Sequence, residues 1–262
     1  MVGITSINGF PLSMEQRFSK IKDAGFESLL LWWGNDETDS RPKCVALAHK
    51  YGLHIENAHA ATDNLNALWI EGPEGNHTLS ELQQEIIDCS ELGIETLVVH
   101  LTNGNTPPTI SSIGAFRIEQ LIKLAEHLKV KLAFENVRKP EHLQYVLDSF
   151  HSPFVGLCYD SGHEHFWSPN IDWLNKYGAR VFAVHLHDNN GDRDSHLLPF
   201  DGTIDWIKKA KQLAQSSYTG TITIESELRA NAQYEKNGLE AFLSYAYEKG
   251  KKLAELIYQQ YP

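Results

Sequence analysis

Short β-branched or apolar runs alternate with longer segments whose apolar residues recur every three or four positions, and this alternation repeats eight times along the chain. The predicted strands are Val2 to Ile7, Ser28 to Trp32, His54 to Ala58, Thr96 to His100, Lys131 to Asn136, Val155 to Tyr159, Val181 to His185 and Thr221 to Glu225. Between them Met14, Phe18 and Ile21 mark one helical face, Leu79, Leu82, Ile86 and Cys89 another, and Leu239, Phe242, Leu243 and Ala246 open the last. Gly25, Gly52 and Gly93 each follow a helical run, where a left-handed cap favours glycine. Strand-then-helix units imply a parallel sheet. Eight of them in 262 residues, about 33 residues each with no Pro/Gly/Ser-rich linker, predict one α/β domain over residues 1–262, closed as a (β/α)8 TIM barrel. An open doubly wound sheet is the alternative, but no GxGxxG or phosphate-loop motif follows any strand.

Charge narrows the partners. With 34 acidic against 23 basic side chains the net charge is −11, which repels phosphate backbones and anionic membrane surfaces, so neither nucleic acid nor membrane is expected. No stretch approaches the ~18 apolar residues of a membrane span, and the chain opens on a strand pattern rather than a basic-then-apolar leader. Cys44, Cys89 and Cys158 lack CxxC spacing and fit buried, reduced thiols. Together these features predict a cytoplasmic protein acting on a small molecule. The oligomeric state stays open, a homo-oligomer included.

The chain's 13 His are its compositional oddity, and their positions are informative. His59 follows the third strand, His100 ends the fourth, Glu135 the fifth, Asp160 the sixth, His185 the seventh and Glu225 the eighth, so a barrel would gather all six on one rim. His163 lies just beyond, in Asp160-Ser-Gly-His163, as does the pair Asp194-Ser-His196. Carboxylates and imidazoles converging in a barrel mouth repel or stay unsatisfied without a cation, because burying unpaired charge is costly. Oxygen and nitrogen donors without thiolate suit Mn, Zn, Co or Fe as a divalent metal. The i, i+2 spacing of Asp194 and His196 places both on one side of an extended segment.

These residues resemble the xylose-isomerase-like barrels, which include sugar and sugar-phosphate isomerases and epimerases and the endonuclease IV group. The likeness spans nearly the whole chain and is carried by Phe134-Glu135-Asn136-Val137, Cys158-Tyr159-Asp160-Ser161-Gly162-His163, Val184-His185-Leu186-His187-Asp188 and Ile224-Glu225-Ser226. Similarity to the ketose 3-epimerases implies one metal on Glu135, Asp160, His185 and Glu225, with His187 as the rival to His185. It implies substrate contacts from His163 and Arg193, with His187 as a further substrate-binding candidate. Similarity to endonuclease IV implies up to three ions on His59, His100, Glu135, Asp160, His163, His185, Asp194, His196 and Glu225. This chain has no Lys/Arg-rich loop for DNA, so a small phosphate ester is the expected substrate of that alternative.

The expected function is a metal-dependent isomerase or epimerase of a sugar or sugar phosphate, with Glu135 and Glu225 trading a proton through a metal-stabilised enediolate. A dehydratase can use the same metal and base. Alternatives are a multinuclear zinc phosphoesterase and a metal-stabilised binding protein without turnover. Trp32, Trp33, Trp69 and Trp167 lie at or just beyond strand ends, where they pack or wall a sugar face, and Trp33 is taken as a substrate contact. Arg138 and Lys139 follow the fifth strand, where they either meet a substrate phosphate or form a surface pair. Asp36, Glu37 and Asp39 read as solvated surface.

Overall fold

All eight predicted strands form, each within two residues of its expected ends. The computed structural model describes residues 1–262 apart from 8, 10–11, 35–38, 229–230 and 261–262. Asp36 and Glu37 therefore lie outside the described residues, while Asp39 pairs with Lys43 one helical turn on, at 2.5 Å.

Along the chain come β1 (Val2–Thr5), α1 (Met14–Asp23), β2 (Ser28–Trp32), α2 (Arg41–Lys50), β3 (His54–His59), a short turn of 3-10 helix (Leu65–Trp69), α3 (Pro73–Glu91), β4 (Thr96–Val99) and α4 (Ser112–Leu128). There follow β5 (Lys131–Glu135), α5 (Pro140–Ser149), β6 (Val155–Asp160), α6 (Ser161–Trp167), α7 (Trp173–Tyr177), β7 (Val181–His185), α8 (Trp206–Gln215), β8 (Ile222–Ile224), α9 (Ala232–Glu235) and α10 (Gly238–Tyr258). Local sequence sets several helix starts. Ser13 and Gln16 form a reciprocal capping box at α1, and proline occupies the first turn of α2, α3 and α5, where its missing N–H costs nothing. Gly25, Gly52 and Gly93 all take positive φ, as expected after a helix.

The strands are parallel and ordered β7-β6-β5-β4-β3-β2-β1-β8 among the described residues. Closure comes just past the end of β7: Leu186 N–H donates to Thr223 O at 2.9 Å and Glu225 N–H donates to Leu186 O at 3.2 Å. Chain order and pairing define a TIM barrel. Among the described residues no helix is long and apolar enough to cross a membrane.

Two-residue periodicity sorts each strand into an outward face packed on helices and an inward face in the barrel lumen. Val98, Ala133, Cys158 and Ala183, from β4 to β7, form a small buried cluster separate from the large outer core. Two residues further along the same strands come His100, Glu135, Asp160 and His185. Small apolar side chains thus make a floor, and the ligand-type residues stand one layer above it. The three cysteines are buried and none is in a disulfide.

Candidate metal centre

Glu135, at the end of β5, lies at the centre of the upper layer and is almost fully buried. Its Oε2 is 3.0 Å from His100 Nε2, 3.2 Å from His59 Nε2 and 3.3 Å from His185 Nδ1, and its Oε1 is 3.0 Å from His163 Nδ1. Across His185, Nδ1 is also 3.4 Å from Glu225 Oε2. Glu135, Asp160, His185 and Glu225 form one group whose ligand atoms all lie within 4.8 Å of one another, and His59, Glu135 and His185 form a second. His163, His187, Asp194 and His196 form a third within the same limit. The structure therefore brings together every metal-ligand candidate of the sequence, and places His185 and its rival His187 in different groups.

Backbone and side-chain hydrogen bonds aim these groups. Asn136 clamps β6 to β5 by donating from Nδ2 to Asp160 O (2.8 Å) and accepting at Oδ1 from Asp160 N–H (2.7 Å). Asp160 is also the N-cap of α6, its Oδ1 accepting from His163 N–H at 2.7 Å, which fixes the Asp-x-x-His pair across the first turn. His59 Nδ1 is 2.8 Å from Ala60 O and His196 Nδ1 is 2.9 Å from Glu225 O. A carbonyl only accepts, so both rings carry a proton on Nδ1 and present Nε2 to the site.

The loop carrying Asp194 and His196, residues 186–205, is organised by Asp188, the last residue of the Val184-His185-Leu186-His187-Asp188 segment. Its fully buried carboxylate accepts from Asn189 N–H (2.9 Å), Phe200 N–H (3.1 Å), Ile204 N–H (3.1 Å) and Trp206 Nε1–H (2.7 Å). Asp188 and Leu197 also pair through their backbones. Asn231 donates to His196 O at 3.0 Å and accepts from Leu198 N–H at 2.9 Å. Asp194 and His196 do meet, Oδ1 to Nε2 at 3.4 Å, but not along an extended segment: His196 has φ 43°, a left-handed turn uncommon for a side-chain-bearing residue.

The residues fit a cation. Asp160 Oδ2, Glu225 Oε2, Asp194 Oδ1, His163 Nδ1 and both ring nitrogens of His185 and His187 are buried without a hydrogen-bond partner, although several lie 3.0–3.4 Å from a ring nitrogen or carboxylate oxygen of the cluster. Close lone pairs with no aligned donor are the arrangement a divalent ion resolves. The electrostatics agree. Burial pushes the Glu135 carboxyl up, but His100 and His185 beside it hold it well below the usual carboxylate range. Burial likewise works to lower His196, yet Asp194 pushes it up to about 10, and His163 and His185 are raised by Asp160, by Cys158 and by the carboxylates around them. The cluster draws positive charge to its centre.

Above the cluster opens a cavity of about 320 Å³ whose walls include Trp32, Trp167, Thr102 and Arg138. Three of the expected substrate contacts, Trp33, Arg193 and His187, lie outside the cavity lining. Trp33 is buried outside the cavity under the Arg41 guanidinium, 4.6 Å from its ring centroid, whereas Trp32, in step with the inward residues of β2, stacks on His59 at 4.9 Å. Arg193 is exposed and does not line the cavity; the cationic wall is Arg138. His187 is fully buried behind the mouth, 3.0 Å from Asp160 Oδ1 and stacked on His196 with centroids 4.0 Å apart. Its i, i+2 relation to His185 was the available signal, since both then project to the same side. Trp69 packs in the core and donates to Leu101 O at 2.7 Å.

A TIM barrel with a buried cluster of metal-ligating side chains at the C-terminal ends of its strands defines the class. The sequence profile described as "Xylose isomerase-like TIM barrel" matches residues 18–245, and the chain belongs to that family. Protein y4fM of Sinorhizobium fredii is 36% identical over 121 residues, 46% of this chain and 38% of that protein, so the match spans well under half of that relative. An inosose dehydratase of Clostridium beijerinckii is 24% identical over 257 residues, 82% of each chain. Among solved structures, a D-tagatose 3-epimerase-like protein superposes with a TM-score of 0.73 at 24% identity, over 95% of this chain and 98% of that one. An IolI protein with a bound zinc atom gives 0.72 at 18% identity, over 100% and 99%.

Proposed function

We propose that this chain is a divalent-metal-dependent isomerase or epimerase of a sugar or sugar phosphate, in which Glu135 and Glu225 exchange one substrate proton. The observation that carries this reading is the pair of carboxylates facing each other across His185, 3.3 and 3.4 Å from its Nδ1, at the base of a cavity with tryptophan walls. A divalent cation held by Glu135, Asp160, His185 and Glu225 would supply electrophilic stabilisation of the negative charge that develops on substrate oxygens. Glu225 Oε2 has no hydrogen-bond partner and can accept a proton from the carbon beside the substrate carbonyl. Glu135, the second carboxylate at His185 Nδ1, returns a proton: delivered to the opposite face of the same carbon it gives the epimer, and delivered to the neighbouring carbon of the enediolate it gives the isomer. Trp32 and Trp167 offer apolar surfaces to the C–H face of a sugar and exclude water from the exchanging proton. The names of the epimerase-like structure and of the inosose dehydratase support a polyol substrate. Loss of water after the same proton abstraction would give the dehydratase variant.

A second reading, a multinuclear phosphoesterase acting on a small phosphate ester, is favoured by one observation. The group His163, His187, Asp194 and His196 offers a further ion a complete set of ligands, which proton transfer at one cation does not require. Metal identity and stoichiometry on gently purified protein, by inductively coupled plasma mass spectrometry, separate the two. One Mn, Co, Fe or Zn ion per chain, with deuterium entering a ketose from D₂O, is the expected result. Two or three ions with hydrolysis of phosphate esters and no deuterium exchange would reverse the ranking.

A further inference from the structure

Arg138 lies three residues past Glu135, lines the cavity and is exposed. Its guanidinium carbon sits 4.3 Å from the centroid of the Trp167 ring, and Trp167 in turn lies on His163, centroids 4.4 Å apart and planes 32° from parallel. The stack fixes the plane of the guanidinium while leaving its N–H edge uncommitted: among the described residues it has neither a carboxylate partner nor a hydrogen bond. This is unusual in a cavity that also exposes Glu135, Asp194, Glu225 and Glu227, any of which would attract a mobile cation. Three of those carboxylates are engaged instead with the imidazoles of the metal cluster.

We propose that Arg138, held on Trp167, is an oxyanion clamp, and that the substrate carries a phosphate or carboxylate at the end remote from its reacting carbon. The proposal rests on the metal-dependent sugar reading for the identity of that reacting carbon, but the anion site itself does not. A guanidinium is suited to this role because two parallel N–H groups meet two oxygens of a phosphate or carboxylate, and stacking on an aromatic ring lowers the entropy lost when they do. The metal cluster would hold the carbonyl end of the substrate while Arg138 holds the anionic end, so length and charge are both selected.

The test is isothermal titration of the metal-loaded full chain with two matched sets, a ketohexose with its 6-phosphate and the corresponding hexuronate, and glycerol with glycerol 3-phosphate and glycerate. In the unmodified chain one anionic member of each set should bind about 10- to 100-fold more tightly than the neutral one, and whether phosphate or carboxylate wins names the group. Arg138→Gln should erase that preference while leaving the neutral ligand within about twofold, and Arg138→Lys should restore only part of it. Trp167→Leu should weaken the preference although Arg138 is intact, an effect a merely exposed arginine would not show. Equal binding of neutral and anionic ligands in the unmodified chain, or a preference that survives Arg138→Gln, overturns the clamp. If the glycerol set shows the Arg138-dependent gain and no ketose undergoes proton exchange, the clamp stands and the sugar reading falls.

Discussion

Two carboxylates sit at opposite ends of this barrel, Glu56 half-buried and Glu135 fully buried, and have opposite surroundings. Glu56, in β3 near its N-terminal end, occurs where the β2–β3 register slips by one residue, Leu29 opposing Ile55 and Leu30 opposing Asn57. The slip turns its carboxylate toward β8, where it accepts from Thr221 N–H (3.2 Å) and Thr221 Oγ1–H (2.7 Å), with the Tyr218 hydroxyl 3.0 Å away. Glu135, at the C-terminal end of β5, has instead the nitrogens of four histidines around it, on a site where neighbouring lone pairs have no donors. The residue type is the same, yet one end of the barrel is satisfied within the protein and the other is arranged to fit a cation. What surrounds the carboxylate, backbone and hydroxyl donors at Glu56 but imidazoles of a ligand-type cluster at Glu135, separates a structural acid from a site acid.

The comparison can be broken most forcefully at Glu135. Glu135→Gln is expected to lower turnover by about 10²- to 10⁴-fold and to deplete bound metal, whereas Glu56→Gln should leave both unchanged. Parallel steady-state rates and metal contents decide it, and equal losses in the two variants would erase the distinction drawn between the ends. Next in size is removal of the metal itself. Chelation should lower thermal stability by about 4 kcal/mol relative to protein in a thousandfold excess of ion over Kd, roughly 10 °C in Tm, and re-addition should recover it. A calorimetric scan that is identical with and without chelator would show that the cluster is held together by the protein alone.

A smaller effect sharpens the difference within the upper layer. Asp188→Asn turns amide hydrogens toward N–H groups that now donate to a carboxylate, and should cost about 1.5–3 kcal/mol in denaturant unfolding. Because that loop holds Asp194 and His196, the variant should also lose any ion of the His163, His187, Asp194 and His196 group before the ion at Glu135. His196→Ala isolates the same group: under the isomerase reading it keeps its metal at Glu135 and a measurable rate, and under the hydrolase reading it loses one ion and most activity. The smallest change expected is the stability cost of Glu56→Gln, about 1–2 kcal/mol with metal content intact. A larger loss accompanied by metal release would mean that the two ends of the barrel are coupled.

Much of this site was legible from strand positions. A parallel barrel sends the residue at each strand's C-terminal end toward one rim, so His59, His100, Glu135, Asp160, His185 and Glu225 could be assembled without coordinates. The misses fall where periodicity gives out or was read one residue off. Trp32 and Trp33 differ by a single position, which in a strand is the difference between lumen and outer core. Arg193 and Arg138 both follow strands, but loop conformation decides which one reaches the cavity. Asp188 stood in a recognisable segment, but its role in the loop could not be read there, because its four donors come from residues up to 18 positions away.

By itself, then, the sequence determined the barrel and the order of ligand types around its rim, since both follow from local periodicity repeated eight times and from the fixed polarity of parallel strands. Only the tertiary structure decided that His187 joins the cluster, that a left-handed turn brings His196 back to Asp194, and that Arg138 rather than Arg193 faces the cavity. Those outcomes depend on hydrogen bonds and packing between segments distant in sequence, whose partners no local pattern specifies.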